Sequence, residues 1–296
     1  MTAIPQYALK TAARDGLVRD LPAGHEDQRG VSNSATLIWD VDEAILVDTL
    51  LTVDENSRLI EWIRDQGKSL VAVYVTHGHG DHAFGIGQVR KAFPQAQFWA
   101  TAGTVAQLRI QASPMMYEGF WQRLFPGQIP VASLPDELEA TSFSFAGHEA
   151  RVIETGFTDS PDTTVLWIPD AGLLVGGDVV YNNTYPYLSA GTQETRRSWI
   201  DALTHLKELH PTHVVSAHKD ARLGDPPSDI DATIRYLHDV ADVERTASDA
   251  LDFYQQMLIR QPGRRNIGSL WGAATAIFPV TSDPAPLPPA RSIPPH

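Results

Sequence analysis

The spacing of apolar positions changes several times along the chain, and each change marks an element. Residues 35–39 and 44–47 are short apolar runs separated by the polar-rich tetrapeptide 40–43, which predicts a β-hairpin. Leu59, Ile60 and Ile63 then fall on one helical face, with Asp54 placed to cap that helix and Gly67 to stop it. Residues 70–75 read LVAVYV, a continuous β-branched run that predicts a strand buried on both faces. A helix over 85–93, a strand over 97–100 and a helix over 104–111 follow. This alternation is the α/β signature. Residues 143–146, 151–154, 164–168 and 173–175 are short strands divided by Gly, Asp and Pro, and they predict an antiparallel meander. Trp199, Leu203, Leu206 and Leu209 recur at helical spacing, 214–216 reads as a strand, and 228–260 reads as one or two amphipathic helices.

Residues 1–32 are rich in turn formers and predict an N-terminal arm or peripheral strand. No linker of distinct composition splits residues 33–282, so one domain is expected there. The Pro-rich tail 283–296 is expected to be extended or disordered. A hydrophobic content of 43% with 20% charged residues argues against a wholly disordered or fibrous chain. The formal net charge of −13 disfavours nucleic acid and anionic membrane surfaces as partners. Cysteine is absent, which excludes disulfides, thiolate nucleophiles and Cys-ligated metals, so any metal must be held by nitrogen and oxygen. The first residues lack the apolar core of a signal peptide, and no stretch approaches the roughly 20 apolar residues of a membrane helix. A soluble, cytoplasmic protein is the expectation.

Chemistry concentrates directly after the strand at 70–75. His77, His79, Asp81 and His82 place four potential ligands within six positions, in a chain of eleven histidines. In extended backbone His77 and His79 point to the same side. Gly78 and Gly80 permit the tight turns that swing Asp81 and His82 around the same point. Imidazoles with a carboxylate suit zinc, iron or manganese.

The segment THGHGDHAFG resembles the H-x-H-x-D-H signature of the metallo-β-lactamase superfamily. LVDT at 46–49, GLLVGGDVVYN containing Asp178, and VVSAHKD containing His218 resemble further family segments in the same order, and the likeness runs over roughly residues 33–278. It implies an αββα sandwich, two mixed β-sheets face to face with helices outside and metals at one edge. It also implies His77 and His79 as ligands of a first metal, Asp81, His82 and His218 as ligands of a second, and Asp178 as the bridge between them. Zn2+ is the cation first expected, as one or two ions, with Fe or Mn as alternatives.

One position departs from the family pattern. Phe157 stands where the family supplies a third histidine to the first metal, and phenylalanine cannot coordinate. Three outcomes follow from this: one metal held in the second site, a first site completed by Asp159, Thr158 or His148, or a degraded site. The first predicts close to one ion per chain.

A cation at such a cluster lowers the pKa of water toward about 7. Asp81 is a candidate to orient that water or take its proton. Tyr181, three residues after Asp178, is similar in spacing to a tyrosine of lactone-hydrolysing members that faces the substrate carbonyl, a lactonase-like feature. Tyr117, Phe120 and Trp121, in an aromatic and methionine-rich patch, together with Phe157 and Tyr185, are candidate walls of an apolar pocket. The same patch permits a homodimer contact. His25, His205, His210, His213, His238 and His296 have no motif around them and read as surface or structural residues. The leading expectation is a metal-dependent hydrolase that cleaves an ester, lactone or amide in a small, fairly apolar molecule. The alternative is a non-catalytic metal- or ligand-binding protein on the same scaffold.

Overall fold

The structure, a computed structural model, describes residues 4–14, 21–22 and 31–279. The first sheet begins with β1 (Gln6–Arg14), β2 (Val31–Asp40) and β3 (Glu43–Val47), paired antiparallel. Helix α1 (Val53–Asp65) then leads to β4 (Ser69–Tyr74), which lies parallel to β3. Two short helices, α2 (Gly80–Ala83) and α3 (Ile86–Ala92), precede β5 (Gln97–Ala100). Helix α4 (Ala102–Gln111), the single turn α5 (Pro114–Met116) and a π-helical stretch Tyr117–Gln122 lead to β6 (Asp136–Glu137), which closes the six-stranded sheet β1-β2-β3-β4-β5-β6.

The second sheet contains β7 (Ser142–Phe145), β8 (His148–Gly156), β9 (Thr163–Ile168) and β10 (Leu173–Val175), the predicted meander. After α6 (Gln193–Lys207), β11 (His213–Val215) adds parallel to β10 and completes the order β11-β10-β9-β8-β7. Helices α7 (Ser228–Glu244), α8 (Ala250–Arg260) and α9 (Ile267–Ile277) finish the described chain.

Side-chain alternation explains the layering. Along β3, Ile45 and Val47 enter a cluster between the sheets, while Ala44 and Leu46 enter a cluster under α1, α3 and α4. Along β9, Leu166 and Ile168 face the first sheet, while Val165 and Trp167 face Trp199 and Leu203 of α6. Strands flanked on both faces must be apolar at every position, which is why these runs show no polar alternation. The result is the αββα sandwich expected from the sequence.

Local details refine these expectations. Thr52, not Asp54, caps α1: its extended backbone leaves the hydroxyl free to accept from Glu55 N at 3.2 Å, and Glu55 returns a bond to Thr52 N at 3.0 Å. Asp54 lies inside the first turn, where an acid suits the helix dipole. Residues 228–260 form two helices, the second capped by Asp249. Gln6–Arg14, within the segment expected to be an arm or a peripheral strand, is the outermost strand of the first sheet. The tail 283–296, His25 and His296 lie outside the described residues.

Candidate metal centre

Asp48 follows β3, Thr76 to His82 follow β4, Asp159 lies between β8 and β9, Asp178 follows β10, and His218 follows β11. Parallel neighbours align their carboxyl ends, so the loops leaving β3, β4, β10 and β11 gather at one edge of the sandwich. The two sheets are pinned beneath that edge. Thr164 donates to the Thr76 carbonyl from both N (2.9 Å) and Oγ1 (2.7 Å), and Tyr74 Oη donates to Thr164 Oγ1 at 2.7 Å. Two glycines permit the close approach. A Cβ at Gly177, whose φ is +50°, would lie 2.6 Å from Thr76 Oγ1, and one at Gly78 would lie 2.2 Å from Gln107 Cβ.

The hydrogen-bond network assigns the imidazole tautomers. Asp48 accepts from Thr76 N at 2.8 Å and from Thr76 Oγ1 at 2.9 Å, so that hydroxyl's single hydrogen is committed and its oxygen accepts from His77 Nδ1 at 3.0 Å. His82 Nδ1 donates to Asp48 Oδ2 at 3.0 Å, and His218 Nδ1 donates to the Ser32 carbonyl. All three rings therefore turn Nε2 inward, the arrangement that outer hydrogen bonds impose on ligating histidines.

Two groups of donors result, His77, His79, Asp159 and Asp178, and beside them Asp81, His82 and His218. Within each group the candidate atoms lie within 4.8 Å of one another. His77 Nε2 and His79 Nδ1 are 3.1 Å apart. Asp159 Oδ2 is 2.9 Å from His79 Nδ1 and 3.5 Å from His77 Nε2. Asp178 joins the groups, with Oδ1 3.4 Å from His82 Nε2 and Oδ2 3.2 Å from His218 Nε2. Asp81 lies 4.0 Å from His82 Nε2 and 3.7 Å from His218 Nε2.

These residues fit a cation. Among the described residues, His82 Nε2, Asp159 Oδ2 and Asp178 Oδ1 are buried with no hydrogen-bond partner. Each such atom costs about 1–3 kcal/mol if nothing satisfies it, and a divalent cation bound by nitrogen and oxygen satisfies all three.

Electrostatics are tuned accordingly. Burial, with His82 beside it, pushes His77 down to about 4, so it is neutral and free to ligate at pH 7. Burial opposes charge on His82, but Asp178, Asp81 and Asp48 outweigh it and push the ring up to about 10. Burial would raise Asp178, yet the His218 and His82 imidazoles outweigh it and hold the carboxyl well below its usual range. Without a cation the cluster holds protons in its place, which a metal must displace.

The other residues singled out from the sequence take varied places. Tyr181, a candidate to face the substrate carbonyl, is fully buried, donates to Asp178 Oδ2 at 3.0 Å and accepts from Tyr187 N at 3.3 Å. Burial, then the Asp178 and Asp159 carboxylates, raise its phenol well above its usual range. Tyr185 is packed in the core under the helices, its hydroxyl donating to the Gln261 carbonyl at 2.7 Å. Trp121 is buried with Leu51, Phe84, Phe125 and Ile129, Tyr117 donates to the Pro130 carbonyl at 2.9 Å, and Phe120 stays exposed. Much of the aromatic patch is thus internal packing. Phe157 is half-buried near the Gly191 turn. Of the three groups considered to complete the first site, His148 is engaged elsewhere, between Asp40 Oδ2 at 2.9 Å and Asp170 Oδ2 at 2.6 Å. Thr158 Oγ1 donates to Asp159 Oδ1 at 3.0 Å, and only Asp159 reaches the cluster.

Sequence reasoning did not single out Thr76, Asn33 or the positioning role of Asp48. The available signal for Asp48 was a short polar residue straight after an apolar strand, where it adopts φ 61°. Asn33 holds the Asp81 carbonyl at 2.6 Å.

The profile of the metallo-beta-lactamase superfamily matches residues 29–218. Metallo-beta-lactamase type 2 from Bacteroides fragilis is 21% identical over 193 residues, 64% of this chain and 70% of that protein. Hydroxyacylglutathione hydrolase from Tolumonas auensis is 26% identical over 185 residues, 61% of each chain. A solved metallo-beta-lactamase family protein from Thermus thermophilus shares the fold with a TM-score of 0.63 at 16% identity, over 91% of each chain.

Proposed function

The chain belongs to the metallo-beta-lactamase superfamily, and on that premise we propose that it is a metal-dependent hydrolase cleaving an ester, lactone or amide bond in a small, fairly apolar molecule. The observation that carries this reading is the convergence of His77, His79, Asp178, Asp81, His82 and His218 at one sandwich edge, with buried donor atoms that find no hydrogen-bond partner among the described residues. Both relatives named above are hydrolases, which supports the reaction class.

His82, His218, Asp81 and Asp178 are a nitrogen and oxygen set suited to zinc. A divalent cation bound there supplies Lewis acidity that makes water a nucleophile near neutral pH and polarises a carbonyl oxygen. Asp81 accepts the proton of the attacking water. Its side chain is 12% exposed against 2% for Asp178 and 0% for Asp159, so it is the carboxylate of the cluster that meets solvent. Asn33 anchors its backbone and keeps it in place. Tyr181 orients Asp178 through its hydroxyl rather than touching the substrate. Tyr187, half-buried and edge-on to His79 at 5.5 Å between ring centres, forms one wall. The charge of −13 disfavours polyanionic substrates.

The test is hydrolysis of a panel of chromogenic esters, lactones and amides, with and without chelator. Turnover that chelator abolishes, and that His82→Ala lowers by about 100-fold or more, is the expected result. Metal uptake without turnover on any of the panel would instead identify a ligand-binding protein on this scaffold.

A further inference from the structure

We propose that Asp159 takes the coordination place left by Phe157, so that His77, His79, Asp159 and Asp178 form a two-histidine, two-carboxylate site. Compared with a three-histidine site, it would discriminate less strongly against harder divalent cations such as Mn2+ and Fe2+. The proposal rests on the metal-dependent reading above and specifies the make-up of its first site.

Phe157 is half-buried and turned toward Gly191, whereas Thr158 and Asp159, the next two residues, are fully buried. Thr158 Oγ1 occupies Asp159 Oδ1 at 3.0 Å and is itself paired with Thr163 Oγ1 at 2.9 Å, which fixes the plane of the carboxylate. Oδ2 alone is left to face the cluster. It forms a triangle with His79 Nδ1 and His77 Nε2, with sides of 2.9, 3.5 and 3.1 Å. Donor bonds of about 2.0–2.2 Å in a tetrahedron put ligand atoms about 3.3–3.6 Å apart, close to these spacings. Oδ2 lies at ion-pair distance from His79 Nδ1 but, among the described residues, no donor is aligned with it for a regular hydrogen bond. A buried carboxylate oxygen beside two imidazole nitrogens, aligned with neither, has the geometry of atoms sharing a third partner.

The donor type sets the selectivity. Imidazole favours zinc, and carboxylate favours manganese and its neighbours. Asp159 with Asp81 and Asp178 places three carboxylates around the pair of sites, one more than a three-histidine arrangement would. Zinc remains the tighter ion in absolute terms, as the general order of divalent metals requires. What falls is its advantage over manganese.

The metal-stripped full-length chain is titrated separately with Zn2+ and Mn2+, with bound ions counted by equilibrium dialysis and elemental analysis. Two ions per chain are expected. Asp159→Asn should keep one tight ion and weaken the other at least about tenfold. Asp159→His should raise the zinc-over-manganese affinity ratio of the weaker site at least about tenfold. Two ions bound by Asp159→Asn with unchanged affinity would overturn the proposal. Should that variant not fold, electron paramagnetic resonance of the wild type with excess Mn2+ decides. A spin-coupled pair supports the two-site arrangement, and the spectrum of one isolated ion at saturation overturns it. Two ions dependent on Asp159 but no turnover would fail the hydrolase reading alone. Turnover with Asp159→Asn binding metal as the wild type does would fail this proposal alone.

Discussion

Replacing Asp48 separates the cost of folding the site from the cost of binding metal in it. Its carboxylate accepts from Thr76 N, Thr76 Oγ1 and His82 Nδ1, all buried, and its backbone is left-handed at φ 61°. In Asp48→Ala the Thr76 N–H and the His82 Nδ1–H lose their acceptor, at about 1–3 kcal/mol each. Alanine in left-handed backbone costs about 1–2 kcal/mol more. The metal-free chain should therefore lose about 3–8 kcal/mol, a large share of the roughly 5–15 kcal/mol that holds a domain together. Asp48→Asn tolerates the backbone and keeps one acceptor oxygen, so its loss should be nearer to about 1–2 kcal/mol. Both variants free the His82 ring to rotate, and Zn2+ affinity should fall about 10–100-fold in each. Urea unfolding of the chelator-treated chain measures the first quantity and isothermal titration with Zn2+ the second. Asp48→Ala within about 1 kcal/mol of the wild type, or Asp48→Asn binding Zn2+ with wild-type affinity, would refute the reasoning.

Three further outcomes are expected. His148 bridges Asp40 and Asp170; burial opposes its charge, but the two carboxylate hydrogen bonds outweigh burial and raise its pKa. Its contribution to stability is complete below about pH 6.5, the unfolded value, and is lost as pH rises through the raised folded value. Denaturant midpoints measured across that range should show this slope flattened in His148→Gln; an identical slope in both proteins would rule it out. In Gly78→Ala the new Cβ overlaps Gln107 of α4, so the loop carrying His77 and His79 must shift, with an expected loss of about 1–3 kcal/mol and weaker Zn2+ binding. An unchanged melting temperature and Zn2+ isotherm would contradict that. Tyr181→Phe removes the hydroxyl that holds Asp178, so metal affinity should weaken along with kcat. A lower kcat with unchanged metal affinity would return Tyr181 to a substrate-facing role.

The legible part of the site is the part that is local. His77, His79, Asp81 and His82 lie on one turn after β4, so spacing alone brings them together. The layers were legible for a similar reason: continuous apolar strands such as β4 and β9 need cover on both faces. Asp178 and His218 were found through family likeness, because nothing in their own surroundings marks a ligand. The aromatic patch stayed open in the sequence, since helical spacing does not distinguish a pocket wall from the packing that buries Trp121 against Phe84.

The sequence by itself determined most of the strands and helices between residues 35 and 260, that any metal must bind nitrogen and oxygen, and where the densest donors lie. Only the tertiary structure decided which of Asp159, Thr158 and His148 reaches the cluster, that Tyr181 spends its proton on Asp178, and that Asp48 and Ser32 orient His82 and His218. The physical reason is the range of the interactions. Periodicity records the face a side chain shows within its own element. The aim of a loop carboxylate or an imidazole is set by hydrogen bonds to partners as far away as the 186 positions between Ser32 and His218, and such partners meet only when the two sheets close on each other.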